Sequence, residues 1–317
     1  MPEAIITNDD LAKIIDTSDE WITTRTGIHQ RHISNGEPAW HMGAMAAERA
    51  IEAAGITAAE IDLIIFATVT AEFAFPSSSC LVQRELGVTG CMAIDVGAAC
   101  SGFIYGLDMA RRYLATGDVK KVLVIGAEEL SRYVDFTDRA SCILFGDGAG
   151  AVVVEGGEGF YTSFLGADGN GAEALYARHS KNPHNPLTQD VTFEDSMPPG
   201  GKDHLIQNGK EVYKFATRIL AYAVNEALAK TDIKPDDIDL YIPHQANIRI
   251  INTAAANLGI PMERFYVNIE RYGNTSSASI PIALDEAVRN GTVKRGDKLC
   301  LVGFGAGLTY GTVIFDF

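Results

Sequence analysis

The sequence predicts an α/β fold made of two copies of one unit, with two sheets stacked between layers of helices. Two observations lead to this fold class. Short apolar runs alternate with amphipathic segments of helical length, as in sheets covered by helices. In addition, residues 61–65 (IDLII) resemble residues 238–242 (IDLYI), an offset of 238 − 61 = 177 that needs no gap over residues 46–126. We therefore expect a five-layer stack with helices buried between the sheets.

The first copy is predicted to run helix, strand, helix, strand, helix, strand. The continuous apolar run at 61–68 is typical of a strand that is buried on both faces. Pro76 lies near the first turn of a predicted helix and Gly117 follows the end of another, which are the positions these residues prefer. We expect helices at 45–54, 76–86 and 102–115, and strands at 61–68, 92–96, 121–126 and 151–155.

The second copy opens with a strand that has no counterpart in the first. Residues 160–167 (FYTSFLGA) are predicted to form this strand, and under the repeat its partner would precede Met1. We therefore expect the first copy to lack its opening strand. The rest of the second copy is predicted to contain a helix from about residue 209 and strands at 240–242 and 265–269.

The repeat also predicts how the chain divides. We place one half at residues 1–156 and the other at 157–317. The polar segment 177–203, rich in Pro, Asn and Asp, interrupts the second half. A loop of this length is usually functional or mobile.

Composition limits the function classes. Of the 317 residues, 47% are hydrophobic and 21% are charged, which is typical of a globular chain. The net charge of −15 argues against nucleic acid as a partner, because phosphate binding needs a basic surface. The five cysteines include no C-x-x-C pair, so we predict neither structural zinc nor another metal site. The absence of a signal-like or membrane-spanning apolar run predicts a cytoplasmic location without membrane association.

Cys100 lies in "DVGAACSGF", at a tight turn between a predicted strand and a predicted helix. The free N–H groups and positive dipole end of a helix beginning near residue 101 would lower the pKa of this thiol and favour the nucleophilic thiolate. A free cysteine is also commonly a buried core residue. The turn alone does not decide between these interpretations.

His244 in "PHQAN" and Asn274 in "YGNTSSAS" follow predicted strands of the second copy. Ligands of parallel α/β sheets bind at the carboxyl ends of strands, so both side chains are candidates to meet Cys100. Each also has a structural interpretation, as a core histidine or a turn asparagine. The glycine-rich turn 303–311 could supply amides to an oxyanion, or be an ordinary hairpin turn. "GDGAGA" at 146–151 is not read as a nucleotide fingerprint, because a strand follows it.

A basic face is predicted on the helix that begins near residue 209. Lys210, Lys214 and Arg218 are spaced by four residues, opposite an apolar stripe. A solvated helix face is the ordinary interpretation. In so acidic a chain, the cluster could instead dock an acidic partner.

Taken together, Cys100 in "DVGAACSGF", His244 in "PHQANIRI" and Asn274 in "GNTSSASIPIAL" resemble β-ketoacyl-acyl-carrier-protein synthase III, a family of thiolase-like condensing enzymes. The resemblance covers nearly the whole chain and includes "DTSDEWITTRTGI" (16–28) and "TDRASCILFGDGAGAVVVE" (137–155). It implies a thiolase-like duplicated fold with five layers, α-β-α-β-α, and two mixed sheets. The implied reaction is a decarboxylative Claisen condensation of an acyl-CoA primer with malonyl-acyl-carrier protein, through an acyl-cysteine intermediate. This reaction initiates fatty acid biosynthesis.

The resemblance also implies residue roles. Cys100 would be the nucleophile, and His244 and Asn274 would bind the thioester oxygen as an enolate develops. The amides of Cys100 and Ala306 would form an oxyanion hole. The implied binding residues are Trp21, Arg25, Arg139 and Asn247 for CoA, Val69, Phe75 and Leu130 for the acyl chain, and Lys210, Lys214, Arg218 and Arg249 for the carrier protein. The resemblance further implies a homodimer, in which Phe75 closes the partner's pocket, and no cofactor other than the CoA thioester substrate.

Three other functions remain open at this point. The chain could be a same-fold acyltransferase or a condensing enzyme of secondary metabolism, of polyketide or quinolone type. It could be a nucleotide-binding or scaffold protein in which Cys100 is an inert core thiol. A cysteine hydrolase can also use a Cys-His-Asn set, but the duplicated chain argues against it.

Overall fold

The computed structural model describes residues 1–178 and 204–317. Most of the predicted loop 177–203 therefore lies outside the described residues. The strands are β1 (Ile5–Thr7), β2 (Gln30–His32), β3 (Leu63–Ala67), β4 (Met92–Val96), β5 (Lys121–Glu128), β6 (Gly148–Glu155), β7 (Tyr161–Ala167), β8 (Leu175–Tyr176), β9 (Ile206–Gln207), β10 (Leu240–Pro243), β11 (Lys298–Gly305) and β12 (Thr309–Asp316). The α-helices are α1 (Asn8–Leu11), α2 (Asp19–Thr26), α3 (Ala39–Ala54), α4 (Ser78–Glu85), α5 (Gly102–Leu114), α6 (Arg139–Cys142), α7 (Gly209–Leu228), α8 (Ile248–Leu258), α9 (Ile269–Tyr272) and α10 (Ser279–Arg289).

Two four-stranded mixed sheets form the frame of the molecule. The first has the order β4-β3-β5-β6, with β3 parallel to β4 and β5, and with β6 antiparallel to β5. The second has the order β10-β11-β12-β7, with β10 parallel to β11 and the other pairs antiparallel. The mixed sheets of the predicted fold class are confirmed.

Five layers follow from the way the helices cover these sheets. In β3, Phe66 packs in the apolar cluster under α3 and α4, whereas Ile65 packs in the cluster with α5 and α10. This alternation is the two-residue period of a strand with both faces buried. Helices α7 and α8 cover the outer face of the second sheet. The order α3/α4, sheet, α5/α10, sheet, α7/α8 is the predicted α-β-α-β-α stack.

The repeat is confirmed in the central elements but not without gaps. Strands β5 and β11 begin 298 − 121 = 177 residues apart. Two non-glycine residues with positive φ, Ala99 at 46° and Ser276 at 52°, are also 276 − 99 = 177 apart. Helices α4 and α8, however, end only 258 − 85 = 173 residues apart. The gapless register expected over 46–126 is therefore wrong between β3 and Ala99.

The predicted strand at 265–269 is wrong. Phe265 forms one isolated bridge with Tyr241, and the chain then turns into α9. The Gln245 side chain explains why no strand continues. Its amide group donates to the Tyr266 carbonyl at 3.1 Å, and its carbonyl oxygen accepts from the Asn268 amide at 3.1 Å. A side chain thus satisfies the backbone groups that strand pairing would use.

Two other sequence expectations concern the start of α4 and the opening strand of the first copy. Helix α4 begins at Ser78 and is capped by the Ser77 hydroxyl, so Pro76 precedes the helix rather than opening it. In the described residues, β7 pairs with β12, whereas no strand lies on the corresponding edge of β6. The division at residues 156 and 157 stays a prediction.

Candidate active site

Residues from both halves line one small cavity at the centre of the molecule. The cavity has a volume of about 80 Å³ and contains Cys100 from the first half with His244 and Asn274 from the second. All three are buried. The structure thus brings together the three residues that the sequence analysis singles out. The catalytic roles assigned to them stay predictions.

Cys100 lies in the short 3-10 turn Ala99–Ser101, directly before α5. Ala99 has a positive φ of 46°, a conformation that costs energy and that places the following residue at a sharp corner. The last residue of β11 is Gly305, where a Cβ would lie 2.6 Å from the Cys100 nitrogen. Glycine is therefore required for the end of β11 to approach the nucleophile candidate.

Burial controls the acidity of the Cys100 thiol. Desolvation raises its pKa to about 12, although a hydrogen bond with the Ser276 hydroxyl and the thiol's own backbone amide favour the thiolate. The buried carboxylate of Glu128 raises the pKa further. This direction is opposite to the lowering expected from the helix N-terminus, because desolvation is the largest influence on the thiol.

We expect the labelling of Cys100 by iodoacetamide to rise with pH and not to level off below about pH 10. The thiolate is the reactive form, and its fraction grows about tenfold per pH unit below the pKa. Peptide mass spectrometry would separate Cys100 from the exposed Cys80, which serves as the internal control. A plateau for Cys100 near pH 7 would contradict the dominance of burial.

His244 follows β10, and its backbone N–H donates to the Val302 carbonyl at 2.8 Å. Its Nδ1 lies 2.7 Å from the Ser279 hydroxyl, and its ring packs edge-on against Phe304. Burial lowers the pKa of His244 to about 3, so the imidazole is neutral near pH 7. In the tautomer in which the Ser279 hydroxyl donates to Nδ1, the proton of the neutral ring is on Nε2, and Nε2 is then a hydrogen-bond donor.

Asn274 is held by the backbone of the first half. Its N–H donates to the Leu144 carbonyl at 2.8 Å, and its carbonyl accepts from the Gly146 N–H at 3.0 Å. Its side-chain oxygen accepts from the Ser276 N–H at 2.9 Å. Since that oxygen has a partner, the NH₂ group is the part of the carboxamide suited to donate to a substrate oxygen. Asn274 follows α9, not a strand as expected.

The turn between β11 and β12 contacts the chain before Cys100. The Thr309 hydroxyl lies 2.9 Å from the Ala98 carbonyl oxygen and 3.1 Å from that of Ala306. This contact fixes the glycine-rich turn beside the nucleophile candidate. The oxyanion hole formed by the amides of Cys100 and Ala306 stays a prediction.

The residues expected to bind CoA form a group around α2. The guanidinium groups of Arg25 and Arg139 lie 4.4 and 4.7 Å from the centre of the Trp21 ring. The Asn247 side chain caps α8 and donates to the Arg25 carbonyl at 3.0 Å. Asn247 also lines the cavity of Cys100. It therefore links the cationic aromatic group on α2 to the buried site.

The three residues expected to form the acyl pocket do not line this cavity. Leu130 is buried in another apolar cluster, Val69 is exposed, and Phe75 is 86% exposed. Phe75 was expected to act on a partner subunit, so its exposure in one chain does not contradict that role. The acyl pocket stays a prediction.

The predicted basic face on α7 is present. Lys210, Lys214 and Arg218 are exposed, and the stripe opposite them is buried in the outer core. Other residues of the same helix, Val212 and Tyr213 among them, line the cavity. The helix that carries the basic face therefore also forms part of the cavity wall. Arg249 is exposed, but its guanidinium donates to the Thr24 carbonyl.

Sequence reasoning missed four residues that shape the site: Ser276, Ser279, Phe304 and Glu128. The repeat aligns Cys100 with Ser277, and this correspondence could have drawn attention to the neighbouring Ser276. Glu128 ends strand β5, in which residues 122–127 are apolar or glycine, and an acidic residue at the end of such a strand was a usable signal.

No cluster of three or more His, Cys, Asp or Glu side chains suited to a metal ion occurs in residues 1–178 and 204–317. Among the helices in the same ranges, none combines the length and apolarity needed to cross a bilayer.

Comparisons with known proteins agree with this geometry. Residues 94–177 match the family model "3-Oxoacyl-[acyl-carrier-protein (ACP)] synthase III", and residues 228–317 match the model of its C-terminal region. The chain is 48% identical over 320 residues to beta-ketoacyl-[acyl-carrier-protein] synthase III of Xanthomonas campestris, with 100% of this chain and 95% of that protein covered. It is 45% identical to the enzyme of the same name from Clostridium acetobutylicum, with 99% and 95% covered.

A solved structure supports the same assignment. The crystal structure of 3-oxoacyl-[acyl-carrier-protein] synthase III from Aquifex aeolicus superposes with a TM-score of 0.91 at 46% identity, covering 100% of this chain and 97% of that one. Identity at this level over the whole length shows the family as well as the fold. The chain therefore belongs to the 3-oxoacyl-[acyl-carrier-protein] synthase III family, whose members are acyl-transferring condensing enzymes of fatty acid biosynthesis.

Proposed function

We propose that this enzyme transfers an acyl group from acyl-CoA to Cys100 and then condenses it with malonyl-acyl-carrier protein, releasing CO₂ and a β-ketoacyl-acyl-carrier protein. The observation that carries the proposal is the single cavity shared by Cys100, His244 and Asn274. It combines one nucleophile with two neutral donors, and this is the set that a decarboxylative condensation needs. A nucleotide-binding or scaffold protein, in which Cys100 would be an inert core thiol, does not account for this combination.

The first step is an exchange of thioesters. The sulfur of Cys100 attacks the acyl carbonyl, the bond to the CoA sulfur breaks, and the thiol proton passes to the CoA thiolate. The amides of Cys100 and Ala306 would stabilise the tetrahedral oxyanion, whose position beside a helix N-terminus favours negative charge. A cysteine nucleophile keeps the acyl group as a thioester, so the group stays activated for the second step.

The second step forms the new carbon–carbon bond. Loss of CO₂ from the malonyl group leaves an electron pair as an enolate, whose oxygen accepts hydrogen bonds from His244 and Asn274. The enolate carbon attacks the acyl carbonyl and expels the Cys100 thiolate, which then takes up a proton. Because CO₂ leaves, no strong base has to remove a proton from carbon. The neutral His244 implied by its low pKa is therefore suited to the step as a donor.

The chemistry is complete without a redox group or metal, so we propose that the enzyme uses no cofactor beyond its thioester substrates. Trp21, Arg25 and Arg139 offer a flat ring and cationic groups, which suit the adenine and phosphates of CoA. Asn247 lies between this group and the cavity, where the pantetheine arm would pass.

We further propose that the basic face of α7 docks the acidic carrier protein. Lys214→Glu is expected to raise KM for malonyl-acyl-carrier protein about fivefold, because it replaces attraction by repulsion at an exposed surface, and the effect should shrink as salt rises. Steady-state kinetics with varied carrier would measure this. Acylation of Cys100 by acyl-CoA should stay unchanged.

Lys234→Glu is the matched control for this charge reversal. Lys234 is exposed and precedes β10, whereas His244 follows it, so the two residues lie at opposite ends of the strand. This control variant should keep the original KM. Equal increases in KM for both variants would indicate a nonspecific effect of net charge.

A homodimer and a cytoplasmic location complete the proposal. Val69, Phe73 and Phe75 are large apolar residues that are exposed close together in sequence, and such exposure favours a protein interface. The five cysteines are free, as is usual in a reducing compartment.

The experiment that tests the proposed function mixes the enzyme with a panel of acyl-CoAs and either malonyl-acyl-carrier protein or malonyl-CoA. We expect one CO₂ released per β-ketoacyl product, and formation of product only with the carrier-bound malonyl group. Ester formation, or CO₂ release that does not need the carrier, would favour a same-fold enzyme of another class.

A further inference from the structure

Glu128 is a fully buried carboxylate to which the reaction above assigns no role. It ends β5 of the first half and has no exposed surface. One of its oxygens accepts from the Thr68 hydroxyl at 3.1 Å, the Val69 N–H at 3.0 Å and the Thr70 hydroxyl at 2.8 Å. These three donors belong to the turn that follows β3. Such dense solvation by protein donors compensates in part for the cost of burying a charge.

The other oxygen of Glu128 contacts the second half. It accepts from the Ser276 hydroxyl at 3.1 Å and from the Ser277 hydroxyl at 2.8 Å. The Ser277 hydroxyl also lies 3.0 Å from the Ala67 carbonyl. This turn can approach β5 closely because Gly126 has no Cβ. A Cβ at that position would overlap the Ser277 carbonyl. One side chain thus joins turns from both copies of the repeat.

Ser276 connects this carboxylate to the reacting groups. Its N–H donates to the side-chain oxygen of Asn274 at 2.9 Å, and its side chain lowers the pKa of the Cys100 thiol against the effect of burial. Ser276 also has the positive φ of 52°, a strained conformation that neighbouring contacts must maintain. A shift of Glu128 would therefore move Asn274 relative to Cys100.

We propose that Glu128 is a positioning residue that holds turn 274–277 of the second half against the first half and so sets the geometry of Asn274 and Ser276 at the Cys100 sulfur. The proposal rests on the proposed function for its kinetic consequence but not for its effect on the thiol. Cys100, His244 and Tyr213 are the titratable residues that line the cavity, and Glu128 is the carboxylate that raises the pKa of Cys100.

The test is Glu128→Gln, with Glu129→Gln as the matched control. Glutamine keeps the size of the side chain but leaves a single acceptor oxygen for five donors. We expect kcat for condensation to fall about tenfold or more, with KM for malonyl-acyl-carrier protein changed less than about twofold, because the loss is of transition-state geometry. Glu129 is a chain neighbour that faces Arg132 instead, so its variant should keep both constants.

A second readout needs no substrate and separates this proposal from the proposed function. Removing the Glu128 charge should shift the pH profile of iodoacetamide labelling of Cys100 to lower pH, because like-charge repulsion of the thiolate is lost. Glu128→Asp keeps the charge but shortens the reach, so its labelling profile should stay near that of the original enzyme while kcat remains reduced. A residue that only stabilises the fold is not expected to shift the labelling profile of Cys100 when glutamine replaces it.

Two results would overturn the proposal. One is a Glu128→Gln enzyme with the original kcat and labelling profile. The other is a Glu128→Gln enzyme with an unshifted labelling profile whose loss of activity equals the fraction of the enzyme that is unfolded. Should Glu128→Gln fail to fold, Ser277→Ala removes one of the two bonds to the second half and should lower kcat about threefold or more by the same loss of positioning. An unchanged kcat in that variant would likewise refute the role.

Discussion

Cys100→Ala is expected to abolish acyl transfer from acyl-CoA, with a loss of at least about 10³-fold. The methyl group fits a site whose surroundings are buried, but it has no sulfur to carry the acyl group. Intact-protein mass spectrometry after exposure to acyl-CoA should show one added acyl mass on the original enzyme and none on this variant.

Cys80→Ala is the control for this loss. Cys80 lies on α4 and is exposed, so its thiol is more accessible than that of Cys100. Its replacement should leave the acyl mass in place. Full acylation of the Cys100→Ala enzyme would show that another group is the nucleophile and would remove the basis of the proposed reaction.

His244→Ala and Asn274→Ala are expected to separate the two steps of the reaction. Each removes one donor to the enolate oxygen, and loss of such a donor costs about 10²–10³-fold in rate, or about 2.7–4 kcal/mol. Acylation of Cys100 should continue in both variants, because the first oxyanion is assigned to backbone amides. CO₂ release from malonyl-acyl-carrier protein by each variant would measure the second step.

The neutral state of His244 makes a further distinction possible. Because burial lowers its pKa to about 3, protonation of His244 should not limit CO₂ release between pH 5.5 and about 8. An acid limb with a midpoint near the ordinary histidine pKa of about 6.5 would contradict the role of His244 as a neutral donor. Equal loss of acylation and decarboxylation in the alanine variants would contradict the separation of the steps.

Much of the architecture could be predicted because the duplication is visible in the sequence. Buried strands of parallel sheets are continuous apolar runs, and the offset of 177 residues located them in both copies. Side chains at the ends of such strands then become candidates for one site, which placed Cys100 and His244 correctly. The strand at 265–269 was wrong because the side chain of Gln245 takes over the backbone bonds of that segment. A contact of this kind cannot be read from local periodicity.

The pKa of Cys100 is shifted in the direction opposite to the expected one for a different reason. The sequence shows that a helix follows the cysteine, but it does not show how deeply the thiol is buried. Desolvation depends on residues from both halves, such as Phe145 and Phe304, which line the cavity. Glu128 escaped notice for the same reason, since its partners come from turns 58 to 149 residues away in the chain. Residues that join the site only through tertiary packing could not be predicted from the sequence.

The central claim is that sulfur from one half and two donors from the other act on the same acyl transfer at one buried centre. A single-turnover experiment tests it most directly: Cys100 is first acylated, malonyl-acyl-carrier protein is then added, and intact mass is followed while product and CO₂ are measured. The account predicts that the original enzyme loses its acyl mass as product appears, and that a His244→Ala, Asn274→Ala double variant keeps it. Discharge of the double variant at the original rate would contradict the account.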